Sequence, residues 1–309
     1  MARRVILDVD PGVDDAMAIC LALADPGLEV VAVTASGGNV APGQATRNVQ
    51  AVIEQLDPAR WPRMGSASSD QVLRVDAGYF YGIDGFCGVD FDVAELHHRH
   101  PSVKVIHDEV TAAPEEVTII TTAPLSNISA ALQRDPNVAS QIGHLIVLGG
   151  TLGGPGNVTP AAEFNVYCDA ESARQVFRSP VTKTVIPIDV SGKVVFDYDL
   201  MNRLPGSTSR TGALLRQILP GAFLAHRQRM GLEEIYVHDV VAVVAALHPE
   251  LFTTRMLHGD VETEGELTHG ATVFDHRHRP EQQPNMAVAV DVDAASVVDC
   301  ILRILDRAG

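Results

Sequence analysis

Lysine is scarce in this sequence, and long clusters of basic residues are absent from it. The chain of 309 residues carries a formal net charge of -16, and no basic run is longer than Arg3-Arg4. Its lysines are Lys104, Lys183 and Lys193. Because nucleic acids and anionic membranes attract proteins through surfaces rich in Lys and Arg, we expect neither a nucleic-acid polymer nor a membrane as a partner.

Long apolar runs and paired cysteines are also missing. The longest uncharged apolar run, Val240 to Leu247, is too short to span a bilayer. Asp8 and Asp10 interrupt the first apolar stretch too early for a signal peptide. The four cysteines, at positions 20, 87, 168 and 300, form no CxxC pair. The sequence therefore predicts buried, reduced thiols and a cytoplasmic location.

Two signatures of common hydrolases are absent as well. The chain has neither the GxSxG of serine hydrolases nor the HExxH of zinc peptidases. The glycine-rich segment 149–156 lacks the spacing and the lysine of a nucleotide-phosphate loop, and Pro155 disfavours an immediate helix. The remaining chemistry is that of carboxylates, amides and histidine, which suits the activation of water in a hydrolysis.

Apolar runs alternate with helical patterns through the first two thirds of the chain. The predicted strands are Arg4–Val9, Glu29–Ala35, Glu116–Thr122, His144–Gly149 and Lys183–Ile188. The predicted helices are Asp14–Ala24, Gly43–Leu56, Ser102–Ala112, Leu125–Gln133 and Ala170–Arg178. This order, with near-continuous Val/Ile runs, predicts an α/β fold: a mostly parallel open sheet with helices on both faces.

The last third of the chain changes character. Its predicted helices are Gly212–Met230, His238–Leu247 and Ala294–Arg307. Its predicted strands lie around Phe252–Leu257, Thr272–Phe274 and Met286–Val292. No repeat, low-complexity tract or linker divides the chain, so we expect residues 1–309 to form one domain, with long loops at 65–101 and 190–235 folding over one edge.

The most informative segment is DVDPGVDD at 8–15, directly after the first predicted strand. Its four carboxylates repel one another unless a cation lies between them, and hard cations such as Ca²⁺ take oxygen ligands of this kind. The Pro-Gly pair provides a turn that would fold Asp14 and Asp15 back towards Asp10. Asp14 and Asp15 could instead be first-turn acids that interact with the helix dipole, but this leaves Asp8 and Asp10 unexplained.

Further polar residues follow the other predicted strands. Ligands of open parallel sheets bind beyond the carboxyl ends of the strands, so these residues are candidates for one shared site. They are Asn39, the 122–127 segment, Asn157 and Asp189. Simpler explanations are open for several motifs: a helix cap at 126–127, a surface loop at 163–165, and a core histidine beside a first-turn acid at 238–239.

Taken together, the motifs resemble those of the nucleoside hydrolase family, over nearly the whole chain. The matching segments are DxDPGxDD at 8–15, Asn39, Leu125-Ser-Asn127, Glu163-Phe-Asn165 and Val237-His-Asp239. The resemblance implies a Rossmann-like nucleoside hydrolase fold, in a homodimer or homotetramer. It also implies Ca²⁺-dependent hydrolysis of the N-glycosidic bond of ribonucleosides to ribose and free base, in nucleoside salvage.

The resemblance also implies a role for each matching residue. The calcium ligands would be the carboxylates of Asp10, Asp15 and Asp239 and the main-chain carbonyl of Ser126. Asp10 would in addition be the general base towards water, and His238 would protonate or hydrogen-bond the departing base. Asp8 would orient the ligands. The ribose would be bound by Asp14, Asn39, Asn157, Glu163 and Asn165.

One position departs from the family pattern. Many members that prefer pyrimidines carry a histidine before a Gly-x-Asp-Gly segment, whereas this chain has Tyr81 before Gly82-Ile-Asp-Gly85. A tyrosine can stack on a base or donate a hydrogen bond to it, but it is a poor proton source at neutral pH. Tyr81 is therefore a candidate for contact with the base, and the preferred base is left open.

Two other functions are compatible with an acidic strand end. A haloacid-dehalogenase-type Mg²⁺ phosphohydrolase also begins with Asp-x-Asp after a strand, but it needs a Gly-Thr/Ser turn and a phosphate-binding lysine, and lysines are few here. A non-catalytic, calcium-dependent binder of nucleosides or sugars could use the same scaffold. Release of free base from a nucleoside would exclude both.

Overall fold

The computed structural model describes residues 2–71, 73–75, 78–95 and 99–308, with only the backbone at position 79. Its strands are β1 (Arg3–Val9), β2 (Leu28–Ala35), β3 (Arg63–Ser66), β4 (His100–Pro101), β5 (Val117–Thr121), β6 (His144–Leu148), β7 (Lys183–Ile186), β8 (Val195–Phe196), β9 (Ile235–Tyr236), β10 (Phe252–Leu257), β11 (Gly259–Val261), β12 (Thr272–Phe274) and β13 (Met286–Val292).

The helices within the same residues are mostly short. They are α1 (Val13–Ala24), α2 (Pro42–Leu56), α3 (Gly78–Tyr81), α4 (Ser102–Ala112), α5 (Ser126–Arg134), α6 (Val138–Gln141), α7 (Phe164–Cys168), α8 (Ala170–Arg178), α9 (Ile188–Ser191), α10 (Leu200–Arg203), α11 (Arg210–Met230), α12 (His238–Leu247) and α13 (Ala294–Arg307). A single 3₁₀ turn, Pro249–Leu251, precedes β10.

Nine of the described strands form one sheet, in the order β10-β13-β7-β6-β5-β1-β2-β3-β4. Every pairing in this sheet is parallel except that of β10 with β13 at one edge. Two smaller sheets join β11 to β12 and β8 to β9. The predicted α/β fold with a mostly parallel open sheet is confirmed.

Alternate residues of β1 enter two different apolar cores. Val5, Leu7 and Val9 pack in one cluster with α1, α2, α11, α12 and α13. Ile6 packs in the other cluster, with α4, α5 and α8. Because successive side chains of a strand point to opposite faces, the two clusters mark the two faces of the sheet. Helices thus cover both faces, as predicted.

The path of the chain opens a crevice between β1 and β5. From β1 the strands proceed outwards through β2, β3 and β4, and the chain then returns through α4 to β5 on the other side of β1. The loops after β1 and β5 therefore diverge, and such a switch point is where open sheets bind ligands. Asp10 follows β1 and Thr122 follows β5, so the crevice receives both.

Most predicted elements lie within one or two residues of their predicted ends. The bounds of α4, α8, α12, α13, β10, β12 and β13 agree with the prediction. The prediction missed β3, β4, β8, β9 and β11, which have two to four residues each. The segments predicted as long loops contain short elements too, among them α3 and α10.

The four cysteines are free, as expected for reduced thiols. Three are buried, and Cys87 is half-buried. Burial raises the pKa of the Cys20 thiol to about 12, so this thiol stays protonated and packs as an apolar group. Among the described helices, none combines the length and the hydropathy needed to cross a membrane.

Candidate active site

A cavity of about 720 Å³ opens at the carboxyl ends of the central strands. Its walls come from the start of α1, from the loops after β2, β5 and β6, and from α3, α7, α9, α11 and the start of α12. Most of the residues singled out in the sequence meet here. Those that line the cavity are Asp14, Asn39, Tyr81, Asn157, Glu163, Asn165, His238 and Asp239.

Three carboxylates cluster at the floor of this cavity. Oxygen atoms of Asp14, Asp15 and Asp239 lie within 4.8 Å of one another. Burial raises the pKa of all three carboxyl groups, and the neighbouring carboxylates raise those of Asp14 and Asp239 further. The pKa of Asp14 reaches about 7. The cluster therefore binds protons unless a cation takes their place.

Asp10 is fully buried directly after β1 and carries an unsatisfied oxygen. Its Oδ2 accepts a hydrogen bond from the Asn39 N–H at 2.5 Å. Its Oδ1 is buried and has no hydrogen-bond partner among the described residues. Burial, followed by the charge of Asp15, raises the pKa of Asp10 well above its ordinary value. A buried polar oxygen without a partner costs about 1–3 kcal/mol, and a bound cation would remove that cost.

Asp15 is oriented by neutral donors. Its Oδ2 accepts from the Gly12 N–H at 3.0 Å and from Asn39 Nδ2 at 3.4 Å. Its Oδ1 accepts from Thr122 Oγ1 at 2.7 Å. These bonds fix the direction of the carboxylate while leaving its charge without a Lys or Arg partner in the described part of the chain. Asp15 thus keeps its capacity to bind a cation.

Asp8 faces away from the cavity and joins three elements. Its Oδ1 accepts from Thr34 Oγ1 at 2.7 Å and from Asn127 Nδ2 at 2.8 Å, and its Oδ2 accepts from Thr121 Oγ1 at 3.4 Å. Burial raises the pKa of Asp8 to about 6, although these hydrogen bonds act in the opposite direction. Asp8 thereby ties the end of β1 to β2, β5 and α5, which carry the walls of the crevice.

Ser126, the fourth predicted metal ligand, does not line the cavity. It begins α5, where its hydroxyl donates to Asp169 and accepts from Gln71. Its hydroxyl therefore bonds to Asp169 and Gln71 rather than to the carboxylate cluster. Asp10 and Asp15, two of the other predicted ligands, are buried and do not line the cavity either.

Thr122 contacts one of the predicted metal ligands directly. It is the first residue after β5, lines the cavity, and donates its hydroxyl to Asp15. Its carbonyl oxygen accepts a hydrogen bond from Asn165 Nδ2 at 2.7 Å, and a carbonyl has a second lone pair available. The sequence placed Thr122 at the sheet rim but gave no reason to prefer it as a ligand.

The wall beside the carboxylates consists of two amide side chains and one glutamate, of which Asn157 and Glu163 accept hydrogen bonds from backbone N–H groups. Glu163 caps α7 and accepts from the N–H groups of Gly150 and of two residues in the first turn of the helix. Asn157 Oδ1 accepts from the Phe164 N–H at 2.8 Å. Burial raises the pKa of Glu163. Together with Asn165, these side chains provide a rigid polar surface that suits a polyhydroxylated ligand.

The opposite wall of the cavity is aromatic. His238 begins α12, with Nδ1 2.8 Å from Ser191 Oγ and the Tyr236 ring stacked on it at 5.2 Å. Burial, with a smaller effect of His226, lowers the pKa of His238 to about 4. The imidazole is therefore neutral at pH 7, and it can donate a hydrogen bond but does not carry an extra proton.

Tyr81 lies over the start of α1, next to the carboxylates. A Cβ atom at Gly12 would meet the Tyr81 ring at 3.2 Å, and the ring packs edge-on against Phe80 at 4.8 Å. Burial, then the charge of Asp14, raises the pKa of Tyr81 well above its ordinary value. The phenol thus stays neutral and can act as a hydrogen-bond donor.

Comparison with known proteins identifies the family. The model of the family described as inosine-uridine preferring nucleoside hydrolase matches residues 5–299. The chain belongs to this nucleoside hydrolase family. Its fold is the nucleoside hydrolase fold, and the protein is a hydrolase that acts on N-glycosidic bonds. The family match therefore favours this activity over the phosphohydrolase and the non-catalytic binder considered from the sequence.

Individual relatives differ in the substrates that their names state. The non-specific ribonucleoside hydrolase RihC of Salmonella paratyphi A is 36% identical over 294 residues, which cover 94% of each chain. The pyrimidine-specific RihA of Shigella boydii is 33% identical over 304 residues, 97% of each chain. The structure of the purine-preferring ribonucleoside hydrolase from Gardnerella vaginalis has a TM-score of 0.90 at 28% identity over 99% of both chains.

Several residues of this nucleoside hydrolase site were not identified from the sequence. Phe80, His226 and Tyr236 line the aromatic wall. His226 lies in α11 with Nδ1 2.9 Å from the Ala222 carbonyl, and no local pattern distinguishes it from a core histidine. Asp189, expected at the rim, does line the cavity, where it accepts the N–H groups of residues 152–154 in the glycine-rich loop.

Proposed function

We propose that the protein is a Ca²⁺-dependent ribonucleoside hydrolase that releases ribose and free base. The observation that carries the calcium dependence is the buried, unpartnered Oδ1 of Asp10 beside a cluster of carboxylates within 4.8 Å of one another. The donor set consists of oxygen atoms, which suits hard cations such as Ca²⁺ rather than zinc or copper.

The carboxylates of Asp10, Asp15 and Asp239 would hold the ion. We propose the carbonyl of Thr122, in place of that of Ser126, as the main-chain ligand, because Thr122 contacts Asp15 and lines the cavity. When bound, Ca²⁺ supplies a positive charge that holds the ribose hydroxyls and lowers the pKa of water.

Asp10 would act as the general base. Its Oδ2 is held by the Asn39 N–H, so its carboxylate has a defined orientation, and its Oδ1 has no hydrogen-bond partner in the described chain. Accepting a proton from the attacking water is worth about 10²–10⁴-fold in rate. The buried position also excludes bulk water from the proton-transfer path.

The polar wall would bind the sugar and stabilise its transition state. Cleavage of a glycosidic bond develops positive charge on the sugar ring, and carboxylate and amide oxygens close to the ring stabilise that charge. Asp14 is proposed as a ribose ligand because it is half-buried and lines the cavity, whereas Asp15 lies beneath it. The other proposed ribose ligands are Asn39, Asn157, Glu163 and Asn165.

His238 and Tyr81 would contact the departing base. Both side chains are neutral, so each would donate a hydrogen bond to the base as negative charge develops on it. His238 would not act as a protonated imidazolium. The aromatic wall offers stacking to a base of either size. We therefore propose activity on ribonucleosides and assign no base preference.

We further propose that residues 1–309 form one catalytic domain that acts in cytoplasmic nucleoside salvage. The family match over residues 5–299 and the one sheet shared by both apolar cores support the single domain. The free cysteines support a reducing compartment.

A reducing-sugar assay over the common ribonucleosides tests the proposal. The parent protein should release ribose, and Asp10→Ala should lower kcat by about three orders of magnitude or more while the protein stays folded. Asp306→Ala, at an exposed position of α13, is the matched control and should keep full activity. A parent protein that releases no ribose, or an Asp10→Ala variant with parental kcat, would contradict the proposal.

A further inference from the structure

Gln71 makes an unusually complete set of hydrogen bonds for a loop residue. Its Oε1 accepts from the Gly37 N–H at 2.7 Å, and its Nε2 lies 3.2 Å from the Gly37 carbonyl. The same Nε2 lies 3.0 Å from the hydroxyl oxygens of Ser36 and of Ser126. The carboxamide thus pairs with both backbone groups of Gly37 and joins the loop after β2 to the start of α5.

The segment that Gln71 holds is in direct contact with Asp10. The Asn39 N–H donates to Asp10 Oδ2, and a Cβ atom at Gly38 would lie only 2.0 Å from the same oxygen. The backbone of residues 37–39 therefore packs so closely against the Asp10 carboxylate that no side chain larger than that of glycine fits at position 38. A shift of this turn changes the direction of the Asp10 carboxylate.

Residues just after Gln71 attach the same loop to the opposite wall. The Arg74 N–H donates to the Cys168 carbonyl, and Cys168 Sγ lies 3.1 Å from the Val75 carbonyl. The Arg74 guanidinium lies 3.2 Å from the Tyr167 hydroxyl. Since α7 ends at Cys168 and begins beside Glu163, the loop spans from the turn at Asp10 to the helix that carries the polar wall.

We infer that Gln71 is a positioning residue that orients the Asp10 carboxylate for proton transfer by holding the 37–39 turn against it. The inference rests on the proposed role of Asp10 as the general base. A residue that only stabilised the fold would affect the amount of folded protein. A residue that orients the base affects kcat for each folded molecule, because a displacement of about 1 Å at a reacting group costs up to about 100-fold in rate.

The test compares two methionine variants. Gln71→Met keeps the length of the side chain and removes every hydrogen bond of the carboxamide. Gln133→Met is the matched control, because Gln133 on α5 also has a hydrogen-bonded carboxamide, with Ser129 and Gln175 as its partners. Steady-state ribose release from inosine and uridine gives kcat and KM, and urea unfolding gives the stability of each variant.

We expect Gln71→Met to lower kcat about 10- to 100-fold, with KM changed less than about threefold and the protein fully folded at the assay temperature. Gln133→Met should keep the parental kcat. A kcat within about twofold of the parent, or a loss confined to KM, would overturn the inference. Absence of activity in the parent protein would instead refute the proposed function, so the two failures are distinguishable.

Discussion

Gly38→Ala should disable the site through a single methyl group. An ideal Cβ atom at this position lies 2.0 Å from Asp10 Oδ2 and 2.9 Å from Pro124 Cδ. Ordinary contact begins at 3.4 Å, so the Asp10 oxygen would have to move by 1.4 Å, the difference between 3.4 and 2.0 Å. The Pro124 ring also crowds the methyl group, and Gln71 bonds to both backbone groups of the neighbouring Gly37.

The displacement has a cost in rate and a cost in stability. A general base moved by more than 1 Å loses about 100-fold in kcat, and overpacking of a buried site costs about 1–3 kcal/mol. We expect both effects in Gly38→Ala. Ribose release at saturating uridine or inosine measures the first, and urea unfolding measures the second.

Gly43→Ala is the matched control, because a Cβ atom there meets nothing within 4 Å. Gly43 lies in α2, where alanine should raise the stability by up to about 1 kcal/mol. Its kcat should equal that of the parent. If Gly38→Ala keeps parental kcat, the close packing of the 37–39 turn on Asp10 has no role in catalysis and the reasoning is refuted.

Three further substitutions test other parts of the account. His238→Ala should reduce kcat on inosine or uridine far more than on p-nitrophenyl riboside, whose leaving group needs no help; equal losses would exclude the leaving-group role. Thr122→Val removes the hydrogen bond to Asp15 and should weaken Ca²⁺ binding, measured by calorimetry, about 10- to 100-fold, whereas Ser126→Ala, which removes a hydroxyl bonded to Asp169, should change it less than about threefold; equal effects of the two substitutions would contradict the orienting role of Thr122. Burial lowers the pKa of Lys183 to about 8 from 10.5, so between these two pH values the unfolded chain binds more protons than the folded protein. The free energy of unfolding should therefore rise with pH in this interval, compared with that of Lys183→Met. Parallel pH profiles of the parent and the variant would contradict this.

The acidic end of β1 could be predicted because one short pattern sets both the structure and the chemistry. A buried apolar run places the strand, and the Pro-Gly turn and four aspartates after it specify a strand end that must meet a cation or protons. The same reasoning predicted α12, an apolar helix whose first two residues are His238 and Asp239, and both of them line the cavity. Local sequence was sufficient at these two places.

The ligand after β5 could not be located in the same way. Thr122 and Ser126 both follow the strand, and sequence spacing does not reveal where the chain turns away from the crevice. The structure separates them by their contacts, with Thr122 on Asp15 and Ser126 on Asp169. The two residues therefore differ in their side-chain contacts, although they lie close together in the chain.

The aromatic wall depends on packing between distant segments. His226 comes from α11, and Phe80 comes from α3, which packs against α11. Their rings meet at 5.0 Å, edge to face. Neither segment carries a local motif, and the pairing of two short or irregular elements is a tertiary property that periodicity does not encode. The short strand Arg63–Ser66 was missed for the same reason, since it has no apolar run and is defined by its pairing with β2 and β4.

Ribose release by metal-stripped protein, measured before and after Ca²⁺ is added back, tests the proposed calcium dependence. Dialysis against a chelator, followed by removal of the chelator, gives the stripped protein, and uridine and inosine serve as substrates. We expect activity to be lost on stripping and restored by Ca²⁺ in the parent, with no restoration in Asp10→Ala. Full activity of the stripped protein, with its metal content shown to be negligible, would contradict the account.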